Sequence, residues 1–249
     1  MPRQARRKSE SGIYHVMLRG INQQQIFEDA EDCEKFIEIL KDCKAISEYK
    51  LFAYCLMGNH IHLLIQEGKE PLDLVFKRIG SKYVYWYNIK YRRTGHLFQD
   101  RFKSEVVESE RYFYTVIRYI HQNPIKAGIC RKISDYVYSS YGEYIGEKYV
   151  IDIETALDKM TLEQFAEFNC QLSSDLCLDI VSSIPACRVT DEQAKEIINQ
   201  YTKCKNVAEF QLLDIKVRDK YLKLLREKGL SIRQISRLTG VSFNIVRKF

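Results

Sequence analysis

The sequence predicts an α+β fold: a ferredoxin-like antiparallel sheet with helices on one face and one added helix, followed by an all-helical C-terminal domain. Three observations predict it. Strand-like and helix-like segments follow one another in the order strand, helix, strand, strand, helix, strand, with one more helix after them. Gly58-Asn59 separates two apolar runs as a two-residue hairpin turn does. After about residue 150 the strand pattern stops and only helical segments follow, which gives an expected first domain at 1–148 and an expected helical domain at 149–249.

Residues 12–20, GIYHVMLRG, carry β-branched and aromatic side chains behind a basic polar arm and form the expected first strand. From Asp29 to about Ser47, Phe36, Ile37, Ile39, Leu40 and Ile46 recur at mostly helical spacing among acids and lysines, as in a helix laid on a sheet. LFAYCLMGNHIHLLIQ supplies two antiparallel strands around the Gly58-Asn59 turn. Pro71 opens a helix to about Tyr91, Gly95 breaks it, and LFQDRFKSEVV alternates as the fourth strand. A helix from Glu110 to Asn123 follows, with Pro124 expected to end it. Further on, LEQFAEF, DEQAKEIINQY and VRDKYLKLLREKG read as helices, the last stopped by Gly229.

Composition narrows the class. A chain of 249 residues can bury two cores, and 45% hydrophobic residues with only 4 Pro and 11 Gly exclude a disordered or linker-rich protein. The eight cysteines, Cys33, Cys43, Cys55, Cys130, Cys170, Cys177, Cys187 and Cys204, form no CxxC pair and no zinc-finger spacing, and buried reduced thiols are expected. The opening is basic and no apolar run approaches the ~18 residues of a membrane span, so a cytoplasmic, nucleoid-associated protein is expected. The net charge of +6 is unevenly placed. Arg3, Arg6, Arg7 and Lys8 crowd the start. Lys77, Arg78, Lys82, Lys90, Arg92, Arg93, Arg101 and Lys103 crowd a later stretch among Tyr83, Tyr85, Trp86, Tyr87 and Tyr91. This stretch reads either as a stripe that follows a phosphate backbone and stacks bases, or as a solvated helix face with core aromatics.

His60-Ile61-His62 is the first candidate site. Strand side chains alternate, so both imidazoles project from one face while Ile61 packs on the other. Two convergent neutral imidazoles make half of a divalent-cation site, although an HxH in a strand, taken alone, reads more readily as structural. The helix from Glu110 supplies what is missing. Phe113, Val116, Ile117 and Ile120 form its apolar stripe, and Tyr112, Tyr119 and Asn123 share a second one, with the Tyr119 phenol and Asn123 amide one turn apart. An amide oxygen added to two histidines leaves open positions and suits Mg²⁺ or Mn²⁺ better than a closed zinc site. Tyr119 would stand beside that metal as a nucleophile. Neither Tyr112 nor Tyr114 has a neutral oxygen ligand at the next turn, and His121 points away from the stripe. The competing reading of Tyr119 is a half-buried structural helix tyrosine.

His60-Ile61-His62 after the hairpin, YIHQNPIKAG from Tyr119 to Gly128, and the opening RRKSESGIYHVMLRG resemble the HUH-endonuclease superfamily. The resemblance covers about residues 1–145 and is to the small single-tyrosine transposases of insertion sequences and the REP-associated tyrosine transposases. It implies a metal-dependent cut in single-stranded DNA that leaves the 5′ phosphate on Tyr119 and a free 3′ hydroxyl, with His60, His62 and Asn123 as metal ligands. Because the phosphotyrosine keeps the bond energy, a 3′ hydroxyl can reseal the strand. The family recognises DNA hairpins, so Arg6, Arg7, Lys77, Arg78, Lys82, Arg92, Arg93, Arg101 and Lys103 become candidate DNA contacts. Both dimeric and monomeric relatives exist, and a homodimer stays open.

The second part carries its own signal. In LSIRQISRLTGVSFNIVRKF, Ser236 takes the small-residue position of a helix-turn-helix, Gly240 the turn and Val246 the second helix, with Ile232, Ile235, Leu238 and Ile245 as core. The second helix would start near Ser242 and present Asn244, Arg247 and Lys248 to DNA, within a motif spanning about 220–249. A helical hairpin used only for packing is the alternative. For the whole chain, a replication initiator or relaxase keeps the chemistry but lacks a P-loop here, and a DNA-binding regulator keeps the fold without the chemistry.

Overall fold

The computed structural model describes residues 6–21, 24–146, 149–173, 175, 177–179, 191–204 and 207–249. The chain divides into two compact units, Met1–Asp179 and Ile180–Phe249. Arg3 and Cys187 lie outside the described residues.

In the first unit, β1 (Ile13–Arg19), α1 (Ala30–Ser47), β2 (Lys50–Met57), β3 (His60–Gln66), α2 (Leu72–Lys90), β4 (Lys103–Val106) and α3 (Glu110–Lys126) follow in the expected order. The sheet is antiparallel with strand order β2-β3-β1-β4. β2 and β3 meet at Gly58-Asn59, and a bulge between Leu51 and Ala53 shifts the register near the far end of the hairpin. The alternation sets two faces. His15, Met17 and Arg19 of β1 lie on one face with His60, His62 and Leu64 of β3, while Leu18 lies opposite Ile61 on the other. A groove of about 820 Å³ between Leu18 and Phe76, Lys77 and Val84 places α2 on the Leu18 face. α1 packs on α2, the Phe36 and Tyr83 rings being 5.0 Å apart edge to face. α3 lies against β2 and β3, on the histidine face.

Two boundaries differ from the sequence reading. The expected strand over 97–107 is regular only from Lys103 to Val106. Leu97 and Gln99 pair with Ile21 and Arg19, but the chain then leaves the sheet so that Phe102 turns in against Phe76, with ring centroids 4.5 Å apart. Pro124 does not end α3. The helix runs on to Lys126 and closes at Gly128, where Ile129 N–H donates to Pro124 O and Gly128 N–H to Ile125 O. Proline removes one backbone donor, but the next turn is closed by this left-handed cap, with Gly128 at φ 71°.

The first unit also takes in α4 (Tyr141–Ile145), α5 (Ile153–Leu157) and α6 (Leu162–Cys170), which lie partly beyond the 148/149 boundary read from the sequence. Ile151, Ile153, Ala156 and Phe165 are buried in the same core as the sheet, which explains the extension. The second unit holds α7 (Asp191–Thr202), α8 (Val207–Gln211), α9 (Ile215–Glu227), α10 (Ile232–Thr239) and α11 (Phe243–Val246) around its own core of Ala194, Phe210, Leu222, Leu225, Ile235 and Val246. Gly229 closes α9 as expected, with φ 87° and Leu230 N–H donating to Leu225 O. The cysteines depart from a uniformly buried set: Cys33, Cys43, Cys55 and Cys204 are buried, Cys130 and Cys177 are half-buried, and Cys170 at the end of α6 is exposed. No described helix is long and apolar enough to cross a membrane.

Candidate active site

The site grows from the β1–β3 pairing and the face of α3 laid over it. His60 and His62 sit on adjacent same-face positions of β3, their ring centroids 5.1 Å apart and their planes at 88°. The register puts Arg19 opposite His60 and Met17 opposite His62, so β1 supplies the next row of the same face. α3 begins at Ser109, whose hydroxyl accepts from Tyr112 N–H, and its buried stripe of Phe113, Val116, Ile117 and Ile120 holds it to the sheet. That docking carries Tyr119 over the histidines. The Tyr119 ring lies 5.8 Å from the His62 ring and 5.8 Å from the His15 ring, edge to face in both cases.

Hydrogen bonds define which atoms are left over. His60 Nδ1 lies 2.7 Å from Asn59 Oδ1, an acceptor, so the ring proton is on Nδ1 and Nε2 keeps its lone pair. His62 Nδ1 lies 3.0 Å from His15 Nε2, and His62 Nε2 is buried with no hydrogen-bond partner among the described residues. Asn123 is buried on the next turn from Tyr119 and donates its Nδ2 to the Tyr119 carbonyl at 3.0 Å, which turns its other side-chain atom, Oδ1, away from the helix backbone. Two imidazole nitrogens and an amide oxygen are a donor set that fits a divalent cation with open positions. The orphaned His62 Nε2 is the atom that makes the fit specific, because a buried polar nitrogen without a partner is costly. Among the described residues no group of three or more His, Cys, Asp or Glu side chains is arranged to hold a metal ion, so any cation here would rest on the two histidines and the amide.

Burial sets the protonation of the group. It lowers His15 to about 3, and it lowers His60 to about 4, with the Asp179 carboxylate raising and Arg19 lowering the latter. Burial, then the neighbouring His15 and His60, holds His62 well below its ordinary value. All three rings are therefore neutral near pH 7, as ligands must be. Burial raises the Tyr119 phenol well above its usual value, and the nearby Asp179 carboxylate adds to the effect. Its hydroxyl is buried beside the Asp179 carboxylate. Lys126, one turn past Asn123, lies over the Tyr119 ring at 4.4 Å from its centroid.

Sequence reasoning named His60, His62, Tyr119 and Asn123; the structure brings the first three rings together, with Asn123 on the next turn of α3 from Tyr119. It missed His15, Arg19, Lys126 and Asp179. His15 and Arg19 sit in the HVMLR segment already read as a strand, but only the β1–β3 register shows that they face the histidine pair. His121 is elsewhere: fully buried, with Nδ1 2.8 Å from Asn169 Oδ1 and Nε2 2.9 Å from Ser140 Oγ.

The basic stretch separates into two groups. Arg78 is held by Glu70 and Ser47, Lys82 by Asp42, and Lys90 by Asp29, Glu31 and Asp32, so these side chains tie α2 to its neighbours. For these three residues the ion pairs favour the second reading of the stretch, a helix face: acids on α1 and just before it, and Glu70 just before α2, are in reach of their cations, a pairing that spacing along α2 alone could not show. Arg6 pairs with Asp73 and stacks its guanidinium on Phe102 at 3.7 Å, and Arg93 donates to the His96 carbonyl at 3.2 Å. Arg7, Lys77, Arg92, Arg101 and Lys103 are exposed, as are Asn244 and Arg247 in the second unit. Tyr83 and Tyr87 are core residues, whereas Tyr85 is 72% exposed.

Residues 8–123 match the family model described as Transposase IS200 like, a span that includes the histidine pair, Tyr119 and Asn123. This segment belongs to the IS200-like transposase family. A Haemophilus influenzae protein named as a REP-associated tyrosine transposase is 29% identical to it over 105 residues, covering 37% of this chain and 59% of that relative. The chain thus spans under two thirds of the relative's length. The solved structure of a REP-associated tyrosine transposase bound to a REP hairpin superposes with a TM-score of 0.51 at 16% identity, over 58% of this chain and 86% of that one. The likeness of the IS200-like domain to that structure is one of fold.

Proposed function

We propose that the IS200-like domain cuts and rejoins single-stranded DNA through a covalent bond between Tyr119 and a 5′ phosphate. The observation that carries this reading is the placement of the Tyr119 ring 5.8 Å from His62, whose Nε2 is buried without a partner among the described residues. His60 Nε2, His62 Nε2 and Asn123 Oδ1 would hold Mg²⁺ or Mn²⁺. Bound there, the cation supplies Lewis-acid polarisation of the phosphate. Tyr119 Oη forms the new bond to phosphorus while the P–O3′ bond breaks. The phenol gives up its proton and the leaving 3′ oxygen takes one, so charge and atoms balance. Attack by a 3′ hydroxyl on the phosphotyrosine reverses the step and reseals the strand without a nucleotide cofactor. The elevated pKa of the phenol keeps it protonated at neutral pH, so deprotonation belongs to the reaction itself and not to the resting site.

A hairpin-containing single strand is the proposed substrate, by analogy with the relative bound to a REP hairpin. Arg7, Lys77, Arg92, Arg101 and Lys103 are the exposed cations proposed to meet its phosphates. In the second unit, α10, the left-handed Gly240 and α11 have the order of a helix-turn-helix, and Asn244 and Arg247 are proposed to contact duplex DNA. The experiment is cleavage of labelled hairpin DNA from the gene's flanks with Mg²⁺ or Mn²⁺. A denaturant-resistant adduct in wild type that is absent from Tyr119→Phe and His62→Ala is expected. DNA binding with no adduct under any metal would leave a DNA-binding protein without this chemistry.

A further inference from the structure

His15 is fully buried on β1, and its Nε2 is 3.0 Å from His62 Nδ1. A hydrogen bond between two neutral imidazoles contains one proton, so one nitrogen donates and the other accepts. The choice decides what His62 can do. If His15 Nε2 donates, His62 keeps its own proton on Nε2 and has no lone pair to offer there. If His62 Nδ1 donates, Nε2 is a bare nitrogen and His15 carries its proton on Nδ1. The outer atoms, His62 Nε2 and His15 Nδ1, are both buried and have no hydrogen-bond partner among the described residues, so no described group fixes the pair from outside. His60 shows the same arrangement in simpler form: its Nδ1 donates to Asn59 Oδ1, leaving Nε2 bare.

We propose that His15 is a positioning residue that accepts the His62 Nδ1 proton, and so fixes the tautomer and ring plane in which His62 Nε2 serves as a ligand. This rests on the reading of His60 and His62 as cation ligands. The role is unusual in its chemistry. The partner that orients a ligating histidine is commonly a carboxylate or a carbonyl, which can only accept. A neutral histidine can also donate, so here the direction of the bond is a property of the pair. His15 also packs edge to face on Tyr119, with centroids 5.8 Å apart, so the same ring borders both the ligand and the proposed nucleophile.

The test is Mn²⁺ affinity, measured by electron paramagnetic resonance without DNA, for wild type, His15→Leu, His15→Gln and His62→Ala. Gln retains an acceptor oxygen; Leu does not. Binding 10–100-fold weaker in His15→Leu, with His15→Gln within about threefold of wild type, is expected from the usual cost of removing an orienting partner. Equal binding by wild type and His15→Leu overturns the proposal, and so does a loss in His15→Gln as large as in His15→Leu. If His62→Ala binds Mn²⁺ as wild type does, the ligand reading itself fails, and the proposal with it. Because a substituted core position can disturb folding, a second measurement uses the wild-type protein. Nitrogen-15 spectra of its five histidines, recorded with Zn²⁺ as a diamagnetic probe, should show a proton on His62 Nδ1 and none on His15 Nε2. A proton on His15 Nε2 overturns the proposal directly.

Discussion

Lys126 Nζ stands 4.4 Å from the centroid of the Tyr119 ring, two turns further along α3. A cation over an aromatic face is attracted by the ring and favours negative charge developing on the phenol oxygen and on a phosphate next to it. Lys126→Met keeps the aliphatic cover and removes the charge. Single-turnover adduct formation should slow by about tenfold, which corresponds to about 1.4 kcal/mol and lies within the range for such contacts. Mn²⁺ affinity should not change, and Lys126→Arg should recover most of the rate. A Met variant as fast as wild type would reduce Lys126 to a packing residue.

Lys126 also shows where the sequence stopped being readable. Ending α3 at Pro124 removed Lys126 from the helix face before its spacing from Tyr119 could count, and it was the cap at Gly128, a feature of the next loop, that kept the last turn helical. By contrast His60, His62, Tyr119 and Asn123 were legible, because each pair lies within one element, where the periods of strand and helix dictate neighbours. His15 and Arg19 needed the register between two strands 40 residues apart, which local periodicity does not encode. The pairing of Lys90 and Lys82 with acids near or on α1 was hidden for the same reason: it depends on how two helices lie on one sheet face.

The histidines make a statement about pH. Burial lowers the folded-state value of His121 to about 4, partly opposed by its bond to Asn169. Well above pH 6.5 neither state holds a proton on this ring, so it adds no pH dependence there. Between 6.5 and 4 the unfolded chain takes a proton that the folded chain refuses, and stability falls as pH falls. At pH 5 the loss from His121 is about 2 kcal/mol. His15, His60 and His62, also lowered, add to it. Carboxylates with lowered values, such as Glu70 at about 2, lose their contribution mainly below about pH 4.5, so they add little between pH 7 and pH 5. Trp86 is the single tryptophan and sits in the first unit. Urea titrations followed by its fluorescence, in chelator, should show midpoints dropping from pH 7 to pH 5. Constant midpoints would mean that the fold accommodates protonated histidines.

Lys90 separates the structural cations from the proposed DNA contacts. Its ammonium bonds Asp29, Glu31 and Asp32, and the Asp32 side chain is fully buried while that of Lys90 is 19% exposed. Lys90→Met leaves Asp32 with its bonds from Glu28 N–H and the Tyr91 hydroxyl but without a counter-charge. Solvent reaches the lysine, so the cost should fall below that of a wholly buried pair, at about 2 kcal/mol. The Trp86-monitored midpoint should drop accordingly, while the salt dependence of DNA binding stays as in wild type. The double variant Lys77→Gln/Arg101→Gln should behave oppositely, flattening the salt dependence by about two contacts with an unchanged midpoint. A Lys90 variant that binds DNA less steeply with salt would return that residue to the nucleic-acid surface.

Gly240 tests the second unit. It closes α10 in the left-handed region at φ 69°, its N–H donating to Ser236 O, and its carbonyl accepts from Gln211 Nε2 of α8 at 3.1 Å. A Cβ there would stand 2.3 Å from Gln211 Nε2 and 2.8 Å from Val207 Cγ1. Gln211 can swing aside, but Val207 and the backbone conformation cannot adjust as cheaply, so Gly240→Ala should cost more than about 1 kcal/mol. The damage should stay local: hydrogen exchange should accelerate in α10 and α11, with the Trp86-monitored midpoint unchanged. If α10 and α11 form the duplex-binding helix-turn-helix, Gly240→Ala and Arg247→Ala should both weaken binding to double-stranded DNA, the first by loosening the turn and the second by removing an exposed cation. Because the Tyr119 chemistry is proposed for the other unit, adduct formation on an isolated single-stranded hairpin should survive both. Undiminished duplex binding in both variants would assign α10 and α11 to packing alone.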